Sequence, residues 1–225
     1  MPELPEVETV CVGIAPHITG KTITEVTLRR PDIRFPIPKT LPMQLENHRV
    51  QAMKRRAKYI LIYMDNDYVL VIHLGMSGKL ILETNMPNQL DKHDHVLFRL
   101  NDGQVMVFRD PRRFGIITGC EADALASHPL FAHLGPEPLG EDFDGTYLYR
   151  QFQKRKGAAK PVLMDQKLVV GVGNIYASEA LFRAGVNPER PANKISQKSC
   201  NAIGSSIKAV LQDAMLLAAP LCVIM

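Results

Sequence analysis

The four cysteines of this 225-residue chain, Cys11, Cys120, Cys200 and Cys222, stand far apart and never as a C-x-x-C pair. Neither a zinc knuckle nor a disulfide framework is readable from them. The N-terminus carries no secretory segment, so a reducing cytoplasm is the expected setting and a monomer the expected state. No internal repeat and no low-complexity tract interrupts the chain. Nor is any apolar run long enough to span a bilayer, so no membrane partner is expected. The odd stretch at the end, MLLAAPLCVIM, carries no charge from Met215 to Met225, but it is short and broken by Pro220. An excess of one charge sign is also missing: 27 Lys and Arg face 23 Asp and Glu, a net charge of +4 that permits a nucleic-acid partner without requiring one. What remains, 46% hydrophobic and 22% charged residues, is the composition of an ordinary folded protein with one large domain or two modest ones.

The apolar period organises the chain. Val7, Val10, Cys11, Ile14 and Ile18 recur at helical steps and predict an N-terminal helix, stopped at Gly20. The period then falls toward two. YILIYMDNDYVLVIHLG and HVLFRLNDGQVMVFRD each read as a hairpin, turning at Asp65-Asn66-Asp67 and at Asn101-Asp102-Gly103, with further strands around 21–30 and 78–83. Prolines and glycines cluster in HPLFAHLGPEPLGEDFDG, and beyond it four helical segments are predicted: 147–154, 161–168, 175–184 and 197 to about 217. The expected fold is α+β, with an N-terminal β-sandwich or barrel carrying one helix over 1–131 and a helical domain over 132–225.

Several stretches carry chemistry. MPELPEVETV places Pro2 where removal of Met1 would leave a secondary amine beside Glu3. The alternative is that Pro2 is merely tolerated and the acids favour a helix start. MKRRAKYI, at 53–60, sets Lys54, Arg55, Arg56 and Lys58 at the start of a strand, as a solvated edge or a phosphate contact, with Lys58 on the face of Arg56. HLGMSGKL holds Met76 between two glycines, where an apolar wedge entering a base stack or burial beneath a loop would explain it. KHDHV puts His93 and His95 on one strand face, too few ligands for a metal site, so phosphate or structural contacts are favoured. DPRRFG brings Arg112 and Phe114 to one loop tip, suited to filling the gap left by an extruded base. KRKGAAKP is a basic loop containing Lys156. In GVGNIYASE, Asn174 is expected at a helix N-terminus whose free N–H groups would take an anion.

Taken in order, MPELPEVETV, QAMKRRAKYI, HLGMSG, KHDHV, DPRRFG, HLGPEPL and LMDQKLVVGVGNIYASEALFRAGVNP resemble formamidopyrimidine-DNA glycosylase, the bifunctional family that excises oxidised purines, from Met1 to about Ala214. PELPEV resembles this family rather than endonuclease VIII, which acts on oxidised pyrimidines and begins PEGPE. The resemblance implies a β-sandwich joined to a helix-two-turns-helix domain, with damaged double-stranded DNA as partner. It implies Pro2 as the nucleophile that forms a Schiff base, Glu3 as the proton donor that opens the sugar ring, and Glu6 as a further acid of the site. Lys58 is implied as a phosphate-binding lysine assisting β-elimination. His93, Arg112, Lys156 and Asn174 are implied as DNA contacts, and Met76, Arg112 and Phe114 as the trio that fills the vacated space.

The departure from the family lies after about Asp213. There MLLAAPLCVIM replaces the glycine-rich continuation, and the four-cysteine zinc finger of the family is missing. No cofactor is therefore expected, with weak DNA affinity and impaired strand scission. An inactive DNA-binding remnant is the rival expectation.

Overall fold

The computed structural model describes residues 2–218. Its contacts divide these residues into two units. One holds Pro2 and 6–128, and the other holds 3–5 and 129–218.

In the first unit, the helix α1 (Leu4–Ile18) lays Val7, Cys11, Ile14 and Ile18 into the core, at the spacing the apolar period predicts. Eight antiparallel strands follow: β1 (Ile23–Leu28), β2 (Val50–Arg56), β3 (Tyr59–Met64), β4 (Tyr68–His73), β5 (Lys79–Glu83), β6 (Asp94–Leu100), β7 (Val105–Arg109) and β8 (Ile116–Glu121). They form two four-stranded sheets, ordered β1-β6-β7-β5 and β2-β3-β4-β8. Ile23, Val26, Phe98, Met106 and Phe108 from the first sheet share one buried cluster with Ile60, Ile62, Leu70 and Ile72 from the second, which makes the unit a sandwich. A short helix, α2 (Leu41–Leu45), seats Leu41 and Leu45 in the same cluster.

Both expected hairpins form. Asp67 at φ 60° turns β3 into β4, and Gly103 at φ 92° turns β6 into β7. The strand β8 has no counterpart in the sequence reading, because Gly119 breaks its apolar pattern. That glycine is required by packing, since a Cβ there would lie 2.5 Å from the ring of Tyr68.

The second unit contains α3 (Gly145–Phe152), α4 (Ala159–Leu163), α5 (Asn174–Arg183), a 3₁₀ turn at Ala192–Lys194 and α6 (Gln197–Ala218). Asp144 caps α3 through Tyr147 N at 2.6 Å. The segment expected to be helical from 161 to 168 stops at Leu163. The Gln166 amide donates to the carbonyls of Met164 and Val172, its oxygen accepts from Gly171 N, and Leu168 N and Val169 N both turn back to Asp165 O, which ties residues 164–172 into a turn beyond α4. The helix α6 covers the expected span, and 219–225 of the uncharged tail lie outside the described residues. Among the described residues, no helix is long and apolar enough to cross a membrane.

Candidate active site and nucleic-acid interface

In the second unit, Glu3 is 2% exposed, and its carboxylate accepts from Gly173 N at 2.8 Å, Ile175 N at 3.0 Å and Tyr176 N at 3.5 Å. These are the donors that the first turn of α5 cannot satisfy internally, and the carboxylate also complements the positive end of the helix dipole. Two sequence expectations are corrected here. The N-cap of α5 is Gly173, with Asn174 as the first helical residue, and the cap position has no side-chain acceptor of its own. The N–H groups expected to be free for an anion are occupied by Glu3, leaving the exposed side chain of Asn174 beside them. Leu4 N bonds Gly171 O at 3.1 Å, and Gly171, at φ 78°, meets the Leu4 side chain so closely that a Cβ would lie 2.6 Å from it. The start of α1 is thus held against the glycine turn. Lys156 lies exposed in the loop between α3 and α4.

In the first unit, Lys58 is not in a strand. It occupies the two-residue loop between β2 and β3, next to Ala57 at φ 55°, and is 7% exposed. The expected sharing of a strand face with Arg56 therefore fails, because the chain reverses between them. Tyr59, which follows, pairs with His73 across β3 and β4, with ring centroids 4.9 Å apart. Arg55 turns away to Glu8, with Nε 2.6 Å from the carboxylate.

His73 and Arg34, neither singled out from sequence, line a cavity of about 660 Å³ together with Ile33, Met76, Arg112 and Phe114. Burial pushes the His73 imidazole down to about 4, with the charges of Lys58 and Arg34 acting in the same direction. Its Nδ1 accepts from Gly75 N at 3.0 Å, so the neutral ring carries its proton on Nε2. A neutral donor among cations is an arrangement that an anion would stabilise.

The stability consequence has a definite sign. Unfolded His73 titrates near 6.5 and folded His73 near 4, so its contribution is present above pH 6.5 and lost as pH falls toward 4. Between pH 7 and pH 5 the chain should lose about 2 kcal/mol more than His73→Gln in urea unfolding. Equal losses would refute the assignment.

Met76 and Phe114 are 43% and 42% exposed, and the Arg112 guanidinium stands 4.9 Å from the centroid of the Phe114 ring. His93 precedes β6 rather than lying within it. Its ring is edge-on to that of His95, 6.4 Å between centroids, and its carbonyl accepts from Asp110 N. His95 is buried and places Nε2 2.8 Å from the Asp110 carbonyl, a structural use. Glu6 is half-buried in the first turn of α1, and Pro2 precedes the helix. The sequence signal that could have found His73 is its place at the strand end that opens HLGMSG. For Arg34 it is the arginine-rich loop RRPDIRF.

The cysteines do not fit the zinc site of the resembled family. Cys11, Cys120 and Cys200 are free and lie in α1, β8 and α6, and burial pushes the thiols of Cys11 and Cys200 up to about 12 and about 11. Cys222 lies outside the described residues. Among the described residues, no three His, Cys, Asp or Glu side chains are grouped to hold a metal ion.

Comparison with known proteins agrees with this arrangement. Residues 1–117 match the family model of the formamidopyrimidine-DNA glycosylase N-terminal domain, and residues 134–220 match that of the H2TH domain. The chain is 47% identical over 216 residues to formamidopyrimidine-DNA glycosylase of Geobacter sulfurreducens, covering 96% of this chain and 78% of the relative. It is 48% identical over 215 residues to that of Stutzerimonas stutzeri, with the same coverage. The crystal structure of the Lactococcus lactis enzyme, non-covalently bound to DNA containing an AP site, superposes with a TM-score of 0.89 at 34% identity, covering 96% of this chain and 82% of that one. The enzyme from Thermus thermophilus superposes at 0.85, also with 34% identity, covering 96% and 77%. With both domain models matched in order and nearly half of the residues shared with full relatives, the chain belongs to the formamidopyrimidine-DNA glycosylase family.

Proposed function

We propose that this chain excises oxidised purines from double-stranded DNA and then cleaves the strand at the abasic site. The observation that carries the reading is Glu3, a buried carboxylate fixed by three backbone N–H groups and covalently adjacent to Pro2. A buried acid so held has a defined position, which a proton donor to a sugar oxygen needs.

In the proposed reaction, Met1 is removed and the secondary amine of Pro2 attacks C1′ of the damaged nucleotide. The C1′–N bond to the base breaks, and the departing base takes a proton from solvent. The Glu3 carboxylate takes the N–H proton that the Pro2 nitrogen gives up on attack and passes it to the ring oxygen, the C1′–O bond opens, and the nitrogen lone pair forms a cationic iminium at C1′. That iminium withdraws electrons from C2′, so loss of a C2′ proton expels the 3′ phosphate. Lys58, whose charge reaches His73, holds the phosphate backbone, and Glu6 lines the site as a further acid. His93, Arg112, Lys156 and Asn174 contact DNA. Met76, Arg112 and Phe114 fill the space the extruded nucleotide leaves, offsetting the few kcal/mol of unstacking. The exposure of Met76 and Phe114 beside a cavity lined by Arg34 and His73 supports this division of labour.

The test is direct detection of released base by mass spectrometry. Duplexes carrying 8-oxoguanine, a formamidopyrimidine or thymine glycol would be incubated with the folded chain. Release of the two purine lesions is expected. Release confined to thymine glycol would overturn the substrate class, and release of none would leave a DNA-binding protein without glycosylase activity.

A further inference from the structure

Asp110 is fully buried and lies outside the set of groups that would touch DNA. A buried carboxylate is unfavourable unless its partners offset the lost hydration, so the identity of those partners is informative. Its Oδ1 accepts from Ser77 Oγ at 2.8 Å and from Arg112 N at 3.2 Å, while its Oδ2 accepts from Gly115 N at 2.8 Å. Arg112 N is shared, standing 3.2 Å from Ser77 Oγ as well. All three donors belong to two turns, residues 74–78 with Met76 at the tip and residues 111–115 with Arg112 and Phe114. The main chain of Asp110 is fixed in turn, since its N–H donates to His93 O at 3.0 Å and its carbonyl faces His95 Nε2 at 2.8 Å.

The two turns also touch directly. A Cβ on Gly75 would lie 2.4 Å from Phe114 C and 2.5 Å from Gly115 N, which means that the backbones are in contact there. Arg113 is held at φ 58°, a left-handed conformation that a non-glycine residue keeps only when its surroundings impose it.

We propose that Asp110, acting through Ser77, is a positioning residue that joins the Met76 turn and the Arg112–Phe114 loop into one rigid wedge. The inference rests on the reading of Met76, Arg112 and Phe114 as the groups that enter the base stack. An exposed methionine on a loose turn would gain little by insertion, because the ordering of both turns would be charged against it at that moment. With both turns clamped to one carboxylate before DNA arrives, that ordering is already complete. The hydroxyl bond from Ser77 is the one link between the turns that a single mild substitution removes.

The experiment uses 2-aminopurine placed opposite an abasic-site analogue in duplex DNA, with fluorescence read at saturating protein, so that the amplitude reports unstacking per complex rather than affinity. Wild type should give a clear rise. Ser77→Ala and Asp110→Asn should each lower the saturated amplitude by about threefold or more, and Ser77→Thr, which keeps the hydroxyl, should restore it. Because Ser77→Ala leaves the Asp110 carboxylate with two backbone donors, its circular dichroism should match wild type even where Asp110→Asn folds poorly. A residue that only stabilised the fold would shift the melting temperature and leave the saturated amplitude unchanged. Equal amplitudes for wild type and Ser77→Ala would therefore overturn the positioning role while leaving the glycosylase reading intact. Absence of any rise in wild type itself, with binding confirmed by anisotropy, would sink the wedge reading and this inference with it.

Discussion

Gly173→Ala is expected to leave the chain folded while lowering base excision by about a hundredfold, the scale of a roughly 1 Å misplacement of a reacting group. The backbone at Gly173 is extended, with φ −125° and ψ −155°, so alanine adopts it without strain. The obstacle is the added methyl, which would stand 2.4 Å from Glu3 Cδ and within 2.8 Å of both carboxylate oxygens. Those atoms are the far end of a side chain, and they move more cheaply than backbone does. The carboxylate leaves its seat on α5 and the fold stays. Loss of a helix cap costs about 1–2 kcal/mol, a fall in melting temperature of roughly 5 °C for a chain of this size. Steady-state excision and thermal melting check both halves. Full activity in a folded Gly173→Ala chain would show that the position of Glu3 is not what the reaction needs.

Gly75→Ala is expected to do the opposite, damaging stability and function together. Two penalties combine: φ is +63°, worth about 1–2 kcal/mol against an L side chain, and the methyl would meet main-chain atoms of Phe114 and Gly115 at 2.4–2.6 Å. No rotamer relieves a clash with backbone, so the two turns must separate, and a total cost above about 3 kcal/mol is expected. Gly20→Ala supplies the control. Gly20 has φ +84° with nothing within 4 Å of the position a Cβ would take, so it isolates the conformational penalty. Denaturant unfolding of the two variants should differ by the clash alone, and only Gly75→Ala should lose excision on duplex DNA. Matching unfolding free energies would show that the turns are not in contact.

Much of the fold was legible because it is written in local periods. The α1 stripe, both β hairpins and the span of α6 follow from spacing and turn residues. The strand β8 was hidden by Gly119, whose role depends on a tyrosine in the neighbouring strand. The turn that carries Lys58 was hidden because Ala57 takes a positive φ without glycine, asparagine or aspartate to announce it. The seat of Glu3 joins residues 170 to 173 positions apart, a pairing no local pattern encodes. The same distance explains why Asn174 reads as a cap from sequence: the true cap comes from the opposite end of the chain. Asp110 was likewise visible only as the first letter of DPRRFG, and its hydrogen bonds to Ser77, Arg112, Gly115 and His95 appear once the turns are folded.

The central claim is that the Pro2 amine attacks C1′, and borohydride reduction on a duplex carrying 8-oxoguanine opposite cytosine tests it most directly. The account predicts a protein–DNA adduct whose modified residue is Pro2 by mass spectrometry and which Pro2→Gly reduces or abolishes. A folded wild-type chain that forms no adduct on this duplex or on a preformed abasic site would contradict it, as would an adduct mapped to a lysine.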